Sequence, residues 1–148
     1  MKKILLLFVS VLLLASLLAG CGGDPAGAGI VEIRERFFVR EIHAINMNAD
    51  EYVGRTVKYE GLFQSFYWAE TGEYFFQVYR YVFDCCGTDK AAGFEVYLGD
   101  IAPLPDGAWV EVIGVLEWYE VVEGSPFLRV AAISVRELDE RGAETVMA

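Results

Sequence analysis

The chain shows three patterns of hydrophobic and polar residues in succession: a continuous apolar run, a helical spacing of apolar residues, and an alternation of apolar and polar residues. Residues 4–18 are apolar except for two serines. Phe38, Ile42 and Ile45 are three or four positions apart, which predicts one buried face of a helix. From residue 56 onwards apolar and polar residues alternate, as in strands with one buried face.

Two shorter elements complete the region before the strands. Val31-Glu32-Ile33 predicts a short strand. Asn48 is placed to cap a second short helix, and Gly54 is placed to end it. We therefore expect a short strand and one or two short helices ahead of the alternating region.

The alternating region predicts five strands separated by turn residues such as Thr71-Gly72 and Gly124-Ser125-Pro126. The predicted strands are residues 56–66, 73–83, 94–98, 109–118 and 127–135. Gly61 and Gly114 lie inside the first and the fourth of them, where a small closed barrel must coil. The pattern predicts a mainly β protein: a five-stranded OB-type barrel preceded by a short strand and one or two short helices.

The N-terminal segment has the features of a secretory signal. Lys2 and Lys3 precede the apolar run, which is shorter than the ~18–20 residues that span a bilayer. The run ends in Leu18-Ala19-Gly20-Cys21, which resembles a bacterial lipobox and implies cleavage before Cys21 and a lipid on its thiol. We expect the mature chain to be lipid-anchored on the extracytoplasmic face of a cell membrane. An ordinary signal peptide cut near Ala19 would instead leave Cys21 free.

The chain divides into four segments, and only one of them is large enough for a domain. We predict a signal peptide over residues 1–20, a lipidated cysteine and flexible Gly-rich tether over 21–29, an OB-like domain over 30–136 and a polar, frayed tail over 137–148.

The charge balance narrows the possible partners. The chain has 12 basic and 22 acidic side chains, and removing residues 1–20 would leave ten basic ones. Such a protein repels phosphate backbones and anionic headgroups, so we expect no nucleic-acid partner and attachment to the membrane through the lipid. The chain has a single histidine and neither a phosphate loop nor a His-rich metal motif, so we do not expect an enzyme.

The segment Asp84-Cys85-Cys86-Gly87-Thr88-Asp89 is the sharpest chemical feature. Two thiolates suit a soft ion such as Zn(II), Cu(I) or a trivalent metalloid, with a further ligand from Asp84, Asp89, His43 or a second protomer. Adjacent cysteines join only through a strained eight-membered ring, so a redox role is an alternative. In a third interpretation both cysteines are small apolar residues that end a strand.

An aromatic face is the other candidate for binding. Phe75, Tyr79 and Tyr81 alternate along one face of the second predicted strand. One face of this strand must fill the barrel, and the other is available as a platform for a protein or a glycan. Arg80 falls on the opposite face, where it either reaches the barrel rim or pairs with an acid.

Three stretches resemble the YcgQ-like family: residues 81–89 followed by Gly93-Phe94-Glu95-Val96, residues 48–57 followed by Glu60-Gly61, and residues 106–114. The first contains the Cys-Cys-x-x-Asp block of that family. The resemblance covers about residues 30–136. It implies an OB-like domain beside a multi-spanning permease, with Cys85, Cys86 and Asp89 carried over by position and Arg80 by a weaker match. Members of the family reach the membrane through N-terminal spanning segments, whereas this chain has a lipoprotein signal.

These features together predict a non-enzymatic, lipid-anchored binding protein with a permease as its partner. Cys85, Cys86 and Asp89 are the predicted ligands of a soft metal or metalloid, and Arg80, Asp84, Tyr79 and Tyr81 are further candidate binding residues. The alternatives are a thiol-redox protein that uses the cysteine pair and an envelope module that binds a protein or glycan through the aromatic face.

Overall fold

The computed structural model describes residues 29–83, 90–122 and 124–148. The predicted signal peptide, Cys21, nearly all of the tether and Asp84–Asp89 lie outside the described residues. The elements are β1 (Val31–Glu32), a 3₁₀ turn (Glu35–Phe37), α1 (Phe38–Met47), α2 (Ala49–Tyr52), β2 (Thr56–Trp68), β3 (Glu73–Phe83), β4 (Lys90–Tyr97), β5 (Trp109–Val122), β6 (Ser125–Glu137) and β7 (Thr145–Met147).

Five of the strands close into a barrel in the order β2, β3, β4, β6, β5. All neighbours are antiparallel except β4 and β6, which pair in parallel. The short strands β1 and β7 add parallel pairings to β2 and β3. This order and direction of strands is that of an OB fold, so the predicted fold class is confirmed.

Side-chain alternation fills the barrel as predicted. Val57, Tyr59 and Phe63 of β2 point inward with Val110, Val112 and Leu116 of β5, and each is at most 1% exposed. The hydroxyl of Tyr59 is buried with them and donates to the carbonyl oxygen of Val78 at 3.2 Å, which satisfies a polar group that burial would otherwise leave unpaired.

Helix α1 packs against this core through the residues whose spacing predicted it. Phe38, Ile42 and Ile45 are buried and belong to the same hydrophobic cluster as the barrel interior. Burying three such side chains contributes roughly 5–9 kcal/mol as an upper estimate. Residues 98–108, between β4 and β5, contain no helix, so the helix that packs on the barrel comes from the N-terminal side of the domain.

Asn48 precedes α2 as predicted, but its side chain does not cap that helix. The amide Nδ2 donates to the carbonyl oxygen of Ala44 at 2.9 Å, so it satisfies the C-terminal end of α1 instead. Gly54 adopts a φ of +85° where the helical region ends, as predicted.

The prediction of a frayed tail over residues 137–148 is wrong. Thr145–Met147 pairs with β3, and Val146 is buried. The backbone N–H of Leu138 donates to the carbonyl oxygen of Trp109 at 2.8 Å, and its side chain packs on Trp109. The segment is polar in composition, yet two apolar side chains and its backbone are enough to hold it on the barrel.

Within residues 29–83, 90–122 and 124–148, no helix combines the length and the apolar character needed to cross a membrane.

Three barrel glycines lie where neighbouring strands approach too closely for a side chain. A Cβ would lie 2.6 Å from the carbonyl oxygen of Tyr79 if added at Gly61, 2.2 Å from that of Val78 if added at Gly93, and 2.4 Å from that of Ala131 if added at Gly114. The sequence pattern identified Gly61 and Gly114. Gly93 was missed because the third strand was predicted to begin at Phe94.

Replacement of Gly93 by alanine should therefore destabilise the barrel. We expect Gly93→Ala to lower the free energy of unfolding by about 2 kcal/mol, because the new Cβ meets backbone that cannot move without disturbing strand pairing. Urea denaturation of the mature protein measures this. Gly29→Ala is the matched control, since nothing lies within 4 Å of its added Cβ. An equal loss in both variants would contradict the close-approach explanation.

Candidate functional site

A cleft of about 560 Å³ lies between the β2–β3 and β5–β6 hairpins. At the end of each hairpin the two strands pair only with each other. Strand β4 pairs with residues 77–82 of β3 and 129–131 of β6, so it does not reach either hairpin end. The side chains that line the cleft are Phe66, Tyr67, Trp68, Phe75, Glu95, Tyr119, Val121 and Phe127.

Aromatic rings form both walls of this aromatic cleft. On the β2–β3 side the rings of Trp68 and Phe75 are 5.6 Å apart, and on the β5–β6 side those of Tyr119 and Phe127 are 6.0 Å apart. Trp68 and Phe127 are 37% and 50% exposed. Exposed apolar area that is concentrated in this way is typical of interaction sites, so the cleft is the candidate site.

Polar groups lie among the rings and are paired with one another. The hydroxyl of Tyr119 donates to the carboxylate of Glu95. The guanidinium of Arg129 lies 4.3 and 4.4 Å from the ring centroids of Tyr97 and Tyr119, and its Nε donates to Glu117 at 2.7 Å. An adjoining depression of about 360 Å³ extends the cleft past Tyr97 and Arg129.

Burial changes the acidity of two of these groups. Desolvation raises the pKa of the Glu95 carboxyl, and the bond from Tyr119 opposes this only in part. Desolvation together with the hydrogen bond to Glu95 raises the pKa of Tyr119, so its hydroxyl remains protonated. The cleft therefore offers aromatic faces beside a few hydrogen-bonding groups whose charges are locally balanced.

Arg80, a candidate from the sequence, lies away from the aromatic cleft and is only 2% exposed. Its guanidinium carbon lies 5.0 and 4.7 Å from the ring centroids of Phe38 and Trp109. Nε donates to the backbone oxygen of Glu60 at 2.9 Å, and Nη1 donates to Glu35 at 2.8 Å and to the oxygen of Ala143 at 3.0 Å. The predicted pairing with an acid is present, and it ties together segments from both ends of the domain.

The predicted aromatic face of the second barrel strand is divided by the C-terminal segment. Phe75 lines the cleft, but Tyr79 is buried with Leu62, Trp109 and Leu138. The hydroxyl of Tyr79 donates to that of Tyr81 at 3.2 Å, and burial raises the pKa of Tyr79 to about 12. Tyr81 is on the surface, so the structure does not bring Tyr79 and Tyr81 to the cleft.

The cysteine hypothesis falls largely outside the described residues. Asp84, Cys85, Cys86 and Asp89 follow β3 and precede β4 in the chain. Within the described part of the chain, no group of three or more His, Cys, Asp or Glu side chains could hold a metal ion, and His43 is exposed on α1. The predicted metal site therefore remains a prediction.

A family model described as the DUF1980 C-terminal domain matches residues 23–140. The chain belongs to the DUF1980 C-terminal domain family. This membership is consistent with the YcgQ-like resemblance found in the sequence.

Among solved structures, this DUF1980 domain is similar to the dimeric N-terminal domain of PriB from Thermoanaerobacter tencongensis. The two chains are 22% identical, with a TM-score of 0.34, and the match covers 57% of this chain and 97% of that chain. A likeness at this level carries no argument about function. A search of the curated proteins found no match.

Sequence reasoning missed most of the aromatic cleft in this DUF1980 domain. Phe66, Trp68, Tyr119 and Phe127 were not singled out, and neither were Glu95 and Arg129. The signal that could have identified these residues is their position in the chain. Aromatic residues border the turns near Thr71-Gly72 and Gly124-Ser125, where the hairpin ends have no third strand to bury them.

The contact between Arg80 and Glu35 gives this DUF1980 domain a specific pH dependence. The pKa of Glu35 is lowered below 4.5 by the backbone N–H of Ala143 and by Arg80. Because the pKa of Glu35 is lower in the folded than in the unfolded state, its ionised carboxylate stabilises the fold at pH values above the unfolded-state pKa. This stabilisation is lost as the pH falls through the folded-state pKa. Glu35→Gln should cost up to about 1 kcal/mol at neutral pH, since Glu35 is half exposed.

Urea denaturation from neutral to acidic pH measures this effect. The difference between wild type and Glu35→Gln should vanish in acid. Glu140→Gln, at an exposed carboxylate with no ion pair among the residues described, is the matched control and should change little at any pH. A Glu35→Gln difference that persisted unchanged in acid would contradict the assignment.

Proposed function

We propose that this protein is a non-enzymatic binding protein, held by a lipid on Cys21 at the extracytoplasmic face of a cell membrane, that binds an oligosaccharide in the aromatic cleft. The observation that supports this is the placement of exposed rings on both walls of the cleft, with Glu95 in the cleft and Arg129 beside it against the Tyr119 ring.

The place of the cleft on the barrel supports a ligand-binding role. OB barrels bind oligonucleotides and oligosaccharides on the outer face of their second and third strands and on the loops that flank it. Here those barrel strands are β3 and β4, and the flanking connections are the ends of the β2–β3 and β5–β6 hairpins. The aromatic cleft occupies that position.

The charges favour a sugar over a nucleic acid. Glu70, Glu73 and Glu120 are exposed on the two hairpins, in a chain with 22 acidic and 12 basic side chains. Such a surface repels a polyanion. An uncharged oligosaccharide instead presents C–H faces to the rings and hydroxyls to Glu95 and Arg129, which have both acceptors and donors.

Intrinsic fluorescence tests this proposal, with N-acetylchitohexaose and cellohexaose as probes. Trp109 is buried and Trp118 donates to Asp50 away from the cleft, so Trp118→Phe leaves Trp68 as the exposed reporter. We expect a saturable change with at least one probe. Phe127→Ala should weaken binding about tenfold, since one aromatic contact is worth roughly 1–1.5 kcal/mol.

Ile133→Ala removes an exposed apolar side chain that does not line the cleft, and it is the matched control. It should bind as tightly as the parent protein. The oligosaccharide proposal fails if neither probe binds or if Phe127→Ala binds as tightly as the control.

The soft-metal hypothesis is a second candidate function, with a multi-spanning permease as partner. One described feature favours it. Tyr81, Phe83 and Met147 are exposed together at the end of β3, because β7 sets Thr145 and Met147 opposite Tyr81 and Phe83. This apolar surface adjoins the point where the cysteine segment begins, so a metal-delivery site and a partner-binding surface would be neighbours.

Native mass spectrometry of the anaerobically purified protein tests this candidate. Zn(II), Cu(I) and arsenite are added separately to wild type and to Cys85→Ser/Cys86→Ser. Stoichiometric binding that disappears in the variant is the expected result. Loss of two hydrogen atoms without metal would favour the redox alternative. Two free thiols with no adduct would eliminate both roles.

A further inference from the structure

Three arginines that follow the predicted tether converge on one aromatic ring. The guanidinium carbons of Arg34, Arg36 and Arg40 lie 5.5, 5.5 and 4.3 Å from the centroid of the Phe37 ring. All three arginines are exposed, and Phe37 is half-buried. The 3₁₀ turn and the first turn of α1 produce this arrangement, which we call the Arg–Phe37 cluster.

Nearby carboxylates neutralise only part of the Arg–Phe37 cluster. Glu41 forms an ion pair with Arg34 at 3.7 Å, while Glu35 is held at 2.8 Å by Arg80 and accepts from the backbone N–H of Ala143. Arg36 and Arg40 form no ion pair within residues 29–83, 90–122 and 124–148.

Four other cations on the surface are neutralised. Carboxylate partners lie within 4 Å of Lys58, Arg129, Arg136 and Arg141. A chain that is acidic overall therefore presents a local excess of positive charge at the Arg–Phe37 cluster.

We infer that the Arg–Phe37 cluster docks on anionic phospholipid headgroups of the membrane that holds the lipid on Cys21. This inference rests on the lipid-anchoring part of the proposed function. Arg34 lies 13 positions after Cys21, and a fully extended chain of that length spans at most about 47 Å, so the tether keeps the cluster within reach of the bilayer.

The chemistry of the cluster matches that surface. Guanidinium groups bind phosphate oxygens in a bidentate manner, and an aromatic ring among them is suited to the boundary between headgroups and acyl chains. A basic patch beside a lipid anchor is a common second signal for membrane attachment. The acidic remainder of the domain is repelled, so the two effects together orient the domain with α1 towards the membrane.

Fluorescence quenching in vesicles tests this inference. The full chain is expressed with its own leader, and the product is reconstituted into brominated phosphatidylcholine vesicles with or without phosphatidylglycerol. In a Trp68→Phe/Trp118→Phe background, where the remaining Trp109 is buried, Phe37→Trp places the exposed reporter in the cluster and Phe127→Trp places it in the aromatic cleft. We expect quenching at position 37 that requires phosphatidylglycerol, weakens with added salt and exceeds quenching at position 127.

Charge removal gives the matched comparison. Arg36→Gln/Arg40→Gln in the Phe37→Trp background should reduce docking about 25-fold, since each cation near an anionic surface contributes about fivefold. Arg136→Gln, an exposed arginine already paired with Glu111, should have little effect.

The inference is wrong if quenching at position 37 is the same with and without phosphatidylglycerol. It is also wrong if Arg136→Gln reduces this quenching as much as Arg36→Gln/Arg40→Gln does. Flotation with pure phosphatidylcholine vesicles and the mass of the product report acylation of Cys21 separately. An acylated protein without headgroup-dependent quenching would leave anchoring intact and refute docking. An unacylated protein that floats only with phosphatidylglycerol would refute anchoring and retain docking.

Discussion

One buried guanidinium holds the two ends of this domain on its barrel. Strands β2 and β3 pair with each other over Leu62–Trp68 of β2, and the part of β2 before Leu62 does not pair with β3. There β1 pairs with β2 instead, and β7 pairs with the end of β3. Arg80 fills the opening, lies against Phe38 and Trp109 and donates to groups from the 3₁₀ turn, β2 and the C-terminal segment. A buried cation is costly without such partners, so the N- and C-terminal segments are needed together to satisfy it. Gly142 allows this approach, because a Cβ there would lie 2.6 Å from the carboxylate of Glu35.

The same interaction shapes the surfaces available to partners. By engaging Glu35, Arg80 removes the carboxylate that lies between Arg34 and Arg36 in the chain, which leaves the Arg–Phe37 cluster positively charged. By holding the C-terminal segment, it keeps Leu138 over Tyr79 and Trp109. The exposed rings are consequently concentrated at the hairpin ends and in the short apolar surface beside β7. The contacts of Arg80 therefore separate the Arg–Phe37 cluster, the proposed membrane-docking surface, from the proposed ligand-binding face.

The candidate site was only partly predictable. The alternation in β3 placed Phe75 on a candidate binding face without deciding which face fills the barrel, and the acidic balance of the chain argued against a nucleic-acid partner. The same alternation treated Tyr79 as equivalent to Phe75, because a period of two cannot show that a distant segment covers one of them. Arg129 and Glu95 are 34 positions apart in the chain and become neighbours only through the parallel pairing of β4 with β6. Contacts of that kind leave no local periodicity to detect.

The sequence by itself determined which side chains of β2 and β5 face inward and that a helix would pack through Phe38, Ile42 and Ile45, because burial selects apolar residues at the period of each element. With Gly61 and Gly114 it also determined that five strands would close into a barrel. Only the tertiary structure decided that residues 145–147 form a strand, that Gly93 must lack a side chain and that Asn48 bonds backwards to α1. The first two share one physical reason: each depends on a backbone group of another strand, whose position is set by the closed sheet and not by neighbouring residues. The bond of Asn48 is local, and the sequence alone left open which of two adjoining helix ends its side chain would satisfy.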